Sequence, residues 1–156
     1  MGGALQGITI IDLSRMLPGP YCSMILADHG ARVIAIEDKK YMSDDLFLSP
    51  VNRNKDHITL NLKTKEGHDI FFELIRDADV LMEGFRPGVT KRLGIDYETL
   101  KKVNSRIIYC SITGYGQNGP YKDMAGHDVN YLSFAGILDL IGEKDGSPYI
   151  LSLIHI

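Results

Sequence analysis

Tryptophan is absent from this 156-residue chain, and cysteine occurs only as Cys22 and Cys110, far apart in sequence. That spacing suggests neither a metal site nor a redox pair, and two thiols make no disulfide scaffold. No apolar run approaches the roughly 20 residues a membrane span needs. The N-terminus shows no basic segment followed by an apolar one, so no secretory signal is read. Gln6 breaks the Met-Gly-x-x-x-Ser/Thr pattern of myristoylation. Neither sign of charge dominates: 17 Lys and Arg against 20 Asp and Glu leave a net charge of −3, too little basic field for a nucleic acid or an anionic membrane. At 44% hydrophobic and 24% charged residues the composition is that of an ordinary globular domain, which excludes disorder and collagen-like repeats. A cytoplasmic, soluble α/β enzyme fragment is the expectation, with no nucleic-acid, membrane or metal partner.

Short apolar runs alternate with amphipathic stretches, the pattern of βαβ units and a Rossmann-like, mostly parallel sheet of about five strands flanked by helices on both faces. Ile8–Leu13 reads as the first strand, followed by a Pro18-Gly19-Pro20 turn. A helix is expected from Tyr21 to His29 with its apolar face on Met24, Ile25 and Leu26, stopped by Gly30. Val33–Glu37 is a second strand of the kind buried on both sides. Residues 38–56 read as a long loop, and Ile58–Leu62 alternates as a third strand. Thr64 can cap a helix whose stripe is Ile70, Phe71, Leu74 and Ile75. Strands are expected at Asp79–Glu83 and Arg106–Thr113, and a last helix from Asp128 to Leu140.

Residues 1–150 read as one Rossmann-like portion of a longer enzyme. The final hexapeptide, Leu151-Ser152-Leu153-Ile154-His155-Ile156, resembles the translation of a transposon-end adapter used for sequencing libraries. It is expected to be non-native, the alternative being an ordinary apolar C-terminal strand.

Several motifs admit a functional and a bland reading. Gly114-Tyr115-Gly116-Gln117-Asn118-Gly119 is formally G-x-G-x-x-G. A dinucleotide fingerprint must open a helix, yet Pro120 follows at once and the motif comes after the fifth strand. It reads as a loop that lets backbone approach a ligand. Glu37 stands where a Rossmann-type domain places a ribose-binding acid, or is a solvated strand-end carboxylate. Arg53, Lys55, Lys63 and Lys65 flank the third strand and either hold phosphates or are solvated charge. Arg86, in the loop after the fourth strand, suits an anion or an adenine face. His29, His57 and His68 are expected to face solvent. His127 differs, because it precedes a helix whose N-terminus favours neutral imidazole, able to take a proton near pH 7; the bland reading is a capping histidine.

Six segments in order resemble the N-terminal half of family III CoA transferases, the superfamily that includes the α-methylacyl-CoA racemases. They are Leu5–Ile8, Pro18–Pro20, Leu26–Val33, Leu60–Lys63, Phe85–Gly88 and Gly114–Pro120, within residues 5–150. The string Gly126-His127-Asp128-Val129-Asn130-Tyr131 resembles the racemase branch, in which that His is the base on one face of the substrate. Transferase members usually carry an aromatic residue there and use a later Asp as nucleophile.

The resemblance implies a CoA thioester as substrate and no prosthetic group. CoA would lie along the end of the second strand, Leu60, Asn61, Leu62 and Lys63, and the segment with Gly126, Asp128, Asn130 and Tyr131, with Arg86 nearby. Asn61 replaces the family's usual Asp. Asp38 stands where relatives have Arg or Pro and would repel phosphate, unless Lys39 or Lys40 takes over that contact. The acid partner of His127 would follow the Pro148-Tyr149 pair, where the adapter-like tail begins. An interlocked homodimer is implied for the full-length enzyme. Three functions stay open: a racemase or epimerase fragment, a CoA-transferase fragment, and a non-catalytic CoA- or nucleotide-binding fold.

Overall fold

A computed structural model describes residues 2–38 and 49–149; Lys39, Lys40 and the hexapeptide 151–156 lie outside the described residues. The chain divides into two compact units, Met1–Ile112 and Thr113–Ile156.

The first unit is a five-stranded sheet, parallel throughout, in the order β3-β2-β1-β4-β5. Its strands are β1 (Thr9–Asp12), β2 (Arg32–Glu37), β3 (Lys55–Thr59), β4 (Val80–Glu83) and β5 (Ile108–Ser111). The register places Ile11 beside both Ile34 and Leu81, so the centre of the sheet is a row of apolar side chains. Alternate residues point to opposite faces. On one face Ile11, Leu13, Ile34 and Leu81 pack with Phe71 and Ile75 of α2 (Lys65–Asp77). On the other, Ile10, Val33 and Met82 pack with Ala27 of α1 (Pro18–Asp28). Helices therefore cover both faces, as the alternating pattern predicts.

The differences from expectation have local causes. Helix α1 takes in the Pro18-Gly19-Pro20 segment instead of following it, because proline fits the first helical position, where no N–H is needed. Its face is Met24 and Ala27 with Leu26 partly buried beside them, as expected for Met24 and Leu26, and Ile25 is exposed. Gly30, at φ 98°, ends it as expected. The third strand is Lys55–Thr59 and not Ile58–Leu62. The alternating Ile58, Leu60 and Leu62 do pack against the core, but Asn61 turns the chain: its Oδ1 accepts from Lys63 N–H and its carbonyl from Thr64 N–H, each at 3.1 Å. Within the segment expected to be a loop, Ser49–Asn52 forms a 3₁₀ turn that buries Val51.

In α2, Thr64 caps as expected, its Oγ1 accepting from Gly67 N–H at 3.1 Å, while Ile70 of the stripe stays exposed. Two single-turn helices, α3 (Val89–Arg92) and α4 (Tyr97–Leu100), are absent from the sequence reading. Asp96 caps α4 by accepting from Thr99 N–H at 3.3 Å and Thr99 Oγ1 at 2.9 Å.

In the second unit α5 spans Asp128–Phe134, not Asp128 to Leu140. Gly136, at φ 73°, stops it, with Gly136 N–H donating to Ser133 O at 3.1 Å and Ile137 N–H to Leu132 O at 3.0 Å. That is the paired hydrogen-bond closure of a left-handed helix end. A 3₁₀ turn, Leu138–Leu140, follows.

Candidate functional site

In open parallel sheets ligands bind at the carboxyl ends of the strands, where the strand order reverses. Here the reversal lies between β1 and β4. Two buried carboxylates end these strands, Asp12 and Glu83, 2% and 1% exposed. Each accepts the backbone N–H two residues on, from Ser14 and from Phe85, both at 2.8 Å. Asp12 also accepts from the hydroxyls of Ser14 and of Ser23 on α1. The Lys55 ammonium lies 3.6 Å from Asp12 Oδ2 and donates to Pro20 O at 2.9 Å, its side chain only 1% exposed. Burial pulls the Lys55 pKa below its ordinary value even though Asp12 opposes the shift.

Lys55 is therefore neither solvated charge nor a free phosphate ligand. Arg53 and Lys65 remain at the surface, Arg53 paired with Asp28 at 2.5 Å and Lys65 with Asp69 at 2.5 Å. Glu37, at the end of β2, has its Oε1 2.7 Å from Nδ1 of His57 on β3. His29 and His57 are exposed, but His68 is half-buried, its ring 5.5 Å from that of Phe72.

Among the candidate CoA-binding residues, Leu60–Lys63 stands beside the end of β2, Leu60 N–H donating to Glu37 O at 3.1 Å. Lys63 and Lys65 line a groove with Phe72 of α2 and with Lys91 and Arg92 of α3. Lys91 and Arg92 are absent from the sequence-based candidates; their only signal in the sequence is a basic pair at the end of a helical turn. Arg86 is exposed in the loop after β4.

The remaining candidates belong to the second unit. His127 is the residue before α5, in extended conformation (φ −124°, ψ 174°), exposed, with its N–H donating to Asn130 Oδ1 at 2.8 Å. Asn130 thus fastens the backbone that presents His127. The Tyr131 ring lies on Gly114 and Gly126: a Cβ built at either would come within 2.3 Å and 2.6 Å of it. Backbone approach at the first glycine of the G-x-G-x-x-G string is to Tyr131, not to a ligand, and the segment opens no helix before α5. Tyr131 is half-buried, which raises its pKa, and Tyr115 packs on it edge-on, ring centres 5.4 Å apart. Asp128 is half-buried in the first turn of α5. No group of three or more His, Cys, Asp or Glu side chains suited to a metal occurs among the described residues, and no helix there is long and apolar enough to cross a membrane.

The sequence profile of CoA-transferase family III matches residues 5–155. The chain belongs to CoA-transferase family III. Among its relatives, human alpha-methylacyl-CoA racemase is 41% identical over 94% of this chain and 37% of the relative. An acetyl-CoA:oxalate CoA-transferase from Acetobacter aceti is 43% identical over 94% of the chain and 40% of the relative. The crystal structure of a CAIB/BAIF family protein from Brucella suis superposes with a TM-score of 0.92 at 35% identity, covering 99% of this chain and 45% of that one. This family III chain thus spans well under half the length of the relatives it matches.

Proposed function

We propose that this chain is the N-terminal, CoA-binding portion of an acyl-CoA racemase or epimerase that inverts C2 of a 2-methylacyl-CoA thioester. The observation that carries this reading is His127, held exposed at the start of α5 by the Asn130 bond, within a Gly-His-Asp-x-Asn-Tyr string. An imidazole there can take the C2 proton, leaving its electron pair as an enolate on the thioester; protonation from the opposite face by a second acid completes inversion. General acid–base groups contribute about 10²–10⁴-fold each. The cations along the groove, Lys63, Lys65, Lys91 and Arg92, suit the phosphates of CoA. Arg86 would serve the same anion. The enzyme works in the cytoplasm as an interlocked homodimer in this reading, with the CoA thioester as substrate and no prosthetic group.

A CoA-transferase fragment, moving CoA between carboxylic acids, is the second reading, favoured by relatives such as the Acetobacter enzyme, whose name states that reaction. A non-catalytic CoA-binding domain is the third.

The test follows C2 deuterium exchange and inversion with the full-length protein. Substituting His127→Ala should lower one-face exchange by about 10²–10⁴-fold. Full activity in that variant would remove the role given to His127. The 156-residue chain by itself should bind the CoA thioester only weakly and invert nothing, because inversion requires a second acid; turnover by it would refute the fragment reading.

A further inference from the structure

We propose that Asp12 and Lys55 are positioning residues for the ligand received at the carboxyl edge of the sheet, their buried pair holding the loop between β1 and α1 in its binding shape. This rests on the CoA reading above for the identity of the ligand. A buried ion pair adds little net stability over apolar side chains of similar volume. What the polar set supplies is direction. Asp12 grips the start of the loop through Ser14 N–H at 2.8 Å, and Lys55 grips the first turn of α1, into which the loop runs, through Pro20 O at 2.9 Å. Ser23 joins Asp12 to α1. Ser14 of the loop, Ser23 of α1 and Lys55 of β3 thus meet on one carboxylate.

The loop needs such a hold. Met16 sits at φ 67°, a left-handed conformation that residues with side chains adopt only where their surroundings impose it. The close seat of Ser14 on Gly19, where a Cβ would lie 2.1 Å from Ser14 Oγ, fixes the same turn from the helix side. The loop also borders the reversal of strand order: a Cβ at Gly84, just past β4, would stand 3.7 Å from Ser14 Cβ. It therefore walls the crevice in which open sheets bind ligands. Glu83 grips the loop on the other wall by the same two-residue reach.

The experiment compares the chain with Asp12→Leu/Lys55→Met, which leaves no unpaired buried charge, and with Asp12→Asn/Lys55→Met, which keeps a carbonyl to accept from Ser14. Amide hydrogen exchange and calorimetric titration with CoA are the two readouts. In the Leu/Met variant the β1, β2 and β4 amides should stay protected, the Ser14 amide should exchange about tenfold faster, and CoA affinity should fall about tenfold. The Asn/Met variant should recover most of both, which a purely space-filling role would not give. Unchanged Ser14 exchange in the Leu/Met variant overturns the proposal. A loosened loop with unchanged affinity overturns its ligand role. If the Leu/Met variant fails to fold, Ser23→Ala, which removes only the hydrogen bond from Ser23 to Asp12, takes its place with the same direction expected in both readouts. Should the unsubstituted chain take up no CoA, the CoA reading is what fails, and the exchange result alone decides whether Asp12 and Lys55 hold the loop.

Discussion

The unit that carries the sheet and the unit that carries His127 are held together in different ways. In the first, apolar side chains fill both faces of a parallel sheet, and Ile11, Phe71, Ile75 and Leu81 are fully buried. Among the described residues of the second, Leu132 is the one buried apolar side chain. Its order comes from aromatic rings on backbone: Tyr115, Tyr131, Tyr121 and Phe134 meet edge-on or tilted at 5.4–6.2 Å. Phe134 is nonetheless 58% exposed. Dispersion and burial scale with contacts excluded from water, so the sheet unit should carry most of the stability of the chain. The contrast is between a closely packed sheet in one unit and, in the other, a small aromatic cluster that leaves His127 exposed.

Matched phenylalanine truncations put that contrast at most risk. Phe71→Ala should destabilise the chain by about 3–5 kcal/mol in denaturant unfolding, the usual cost of emptying a core aromatic site. If it costs under about 1 kcal/mol, the sheet core is not the source of stability assigned to it.

Lys55→Met alone should cost a similar amount, about 3–5 kcal/mol, because it strands the Asp12 charge in the interior. Its pH dependence sharpens the point. Burial lowers the Lys55 pKa, so between that lowered value and its ordinary one the unfolded chain binds the extra proton. The stability of the unsubstituted chain should rise with pH across that window relative to Lys55→Met. A fall would mean that the Asp12 pair outweighs burial.

Tyr109 reports on the sheet unit more gently. Its hydroxyl donates to Ile95 O at 3.2 Å, and burial pushes its pKa up to about 12. The folded state keeps the proton that the unfolded chain releases, so this contribution is present below roughly pH 10 and declines as pH climbs toward about 12. Tyr109→Phe should cost about 1 kcal/mol at neutral pH and abolish the late phenolate absorbance in a spectrophotometric titration. An unaltered titration would place the late phenolate elsewhere.

Phe134→Ala should have the smallest effect, under about 0.5 kcal/mol, as for other exposed positions. A cost equal to that of Phe71→Ala would erase the distinction between the units.

What is legible in the sequence follows the same division. Strands β1, β2 and β4 were legible because burial on both faces demands continuous apolar runs, and Thr64 announced α2 because its cap is formed within three residues. The edge strand β3 was displaced because its residues Lys55, Asp56 and His57 look like loop, and edge position is a property of the sheet. Helices α3 and α4 are single turns, too short for periodicity to register. His127, Leu60–Lys63 and Arg86 were legible as candidates through motif and resemblance, while Lys91 and Arg92 join the groove only when α3 folds beside α2.

The sequence by itself determined the fold class, the cap of α2, the glycine stop of α1 and the segment that presents His127, because each depends on residues within a few positions of one another. Only the tertiary structure decided that Lys55 is a buried partner of Asp12 and that Gly114 and Gly126 seat the ring of Tyr131. Those outcomes depend on contacts across many intervening residues, and whether a charge is solvated or a glycine crowded is a property of what the fold brings beside it.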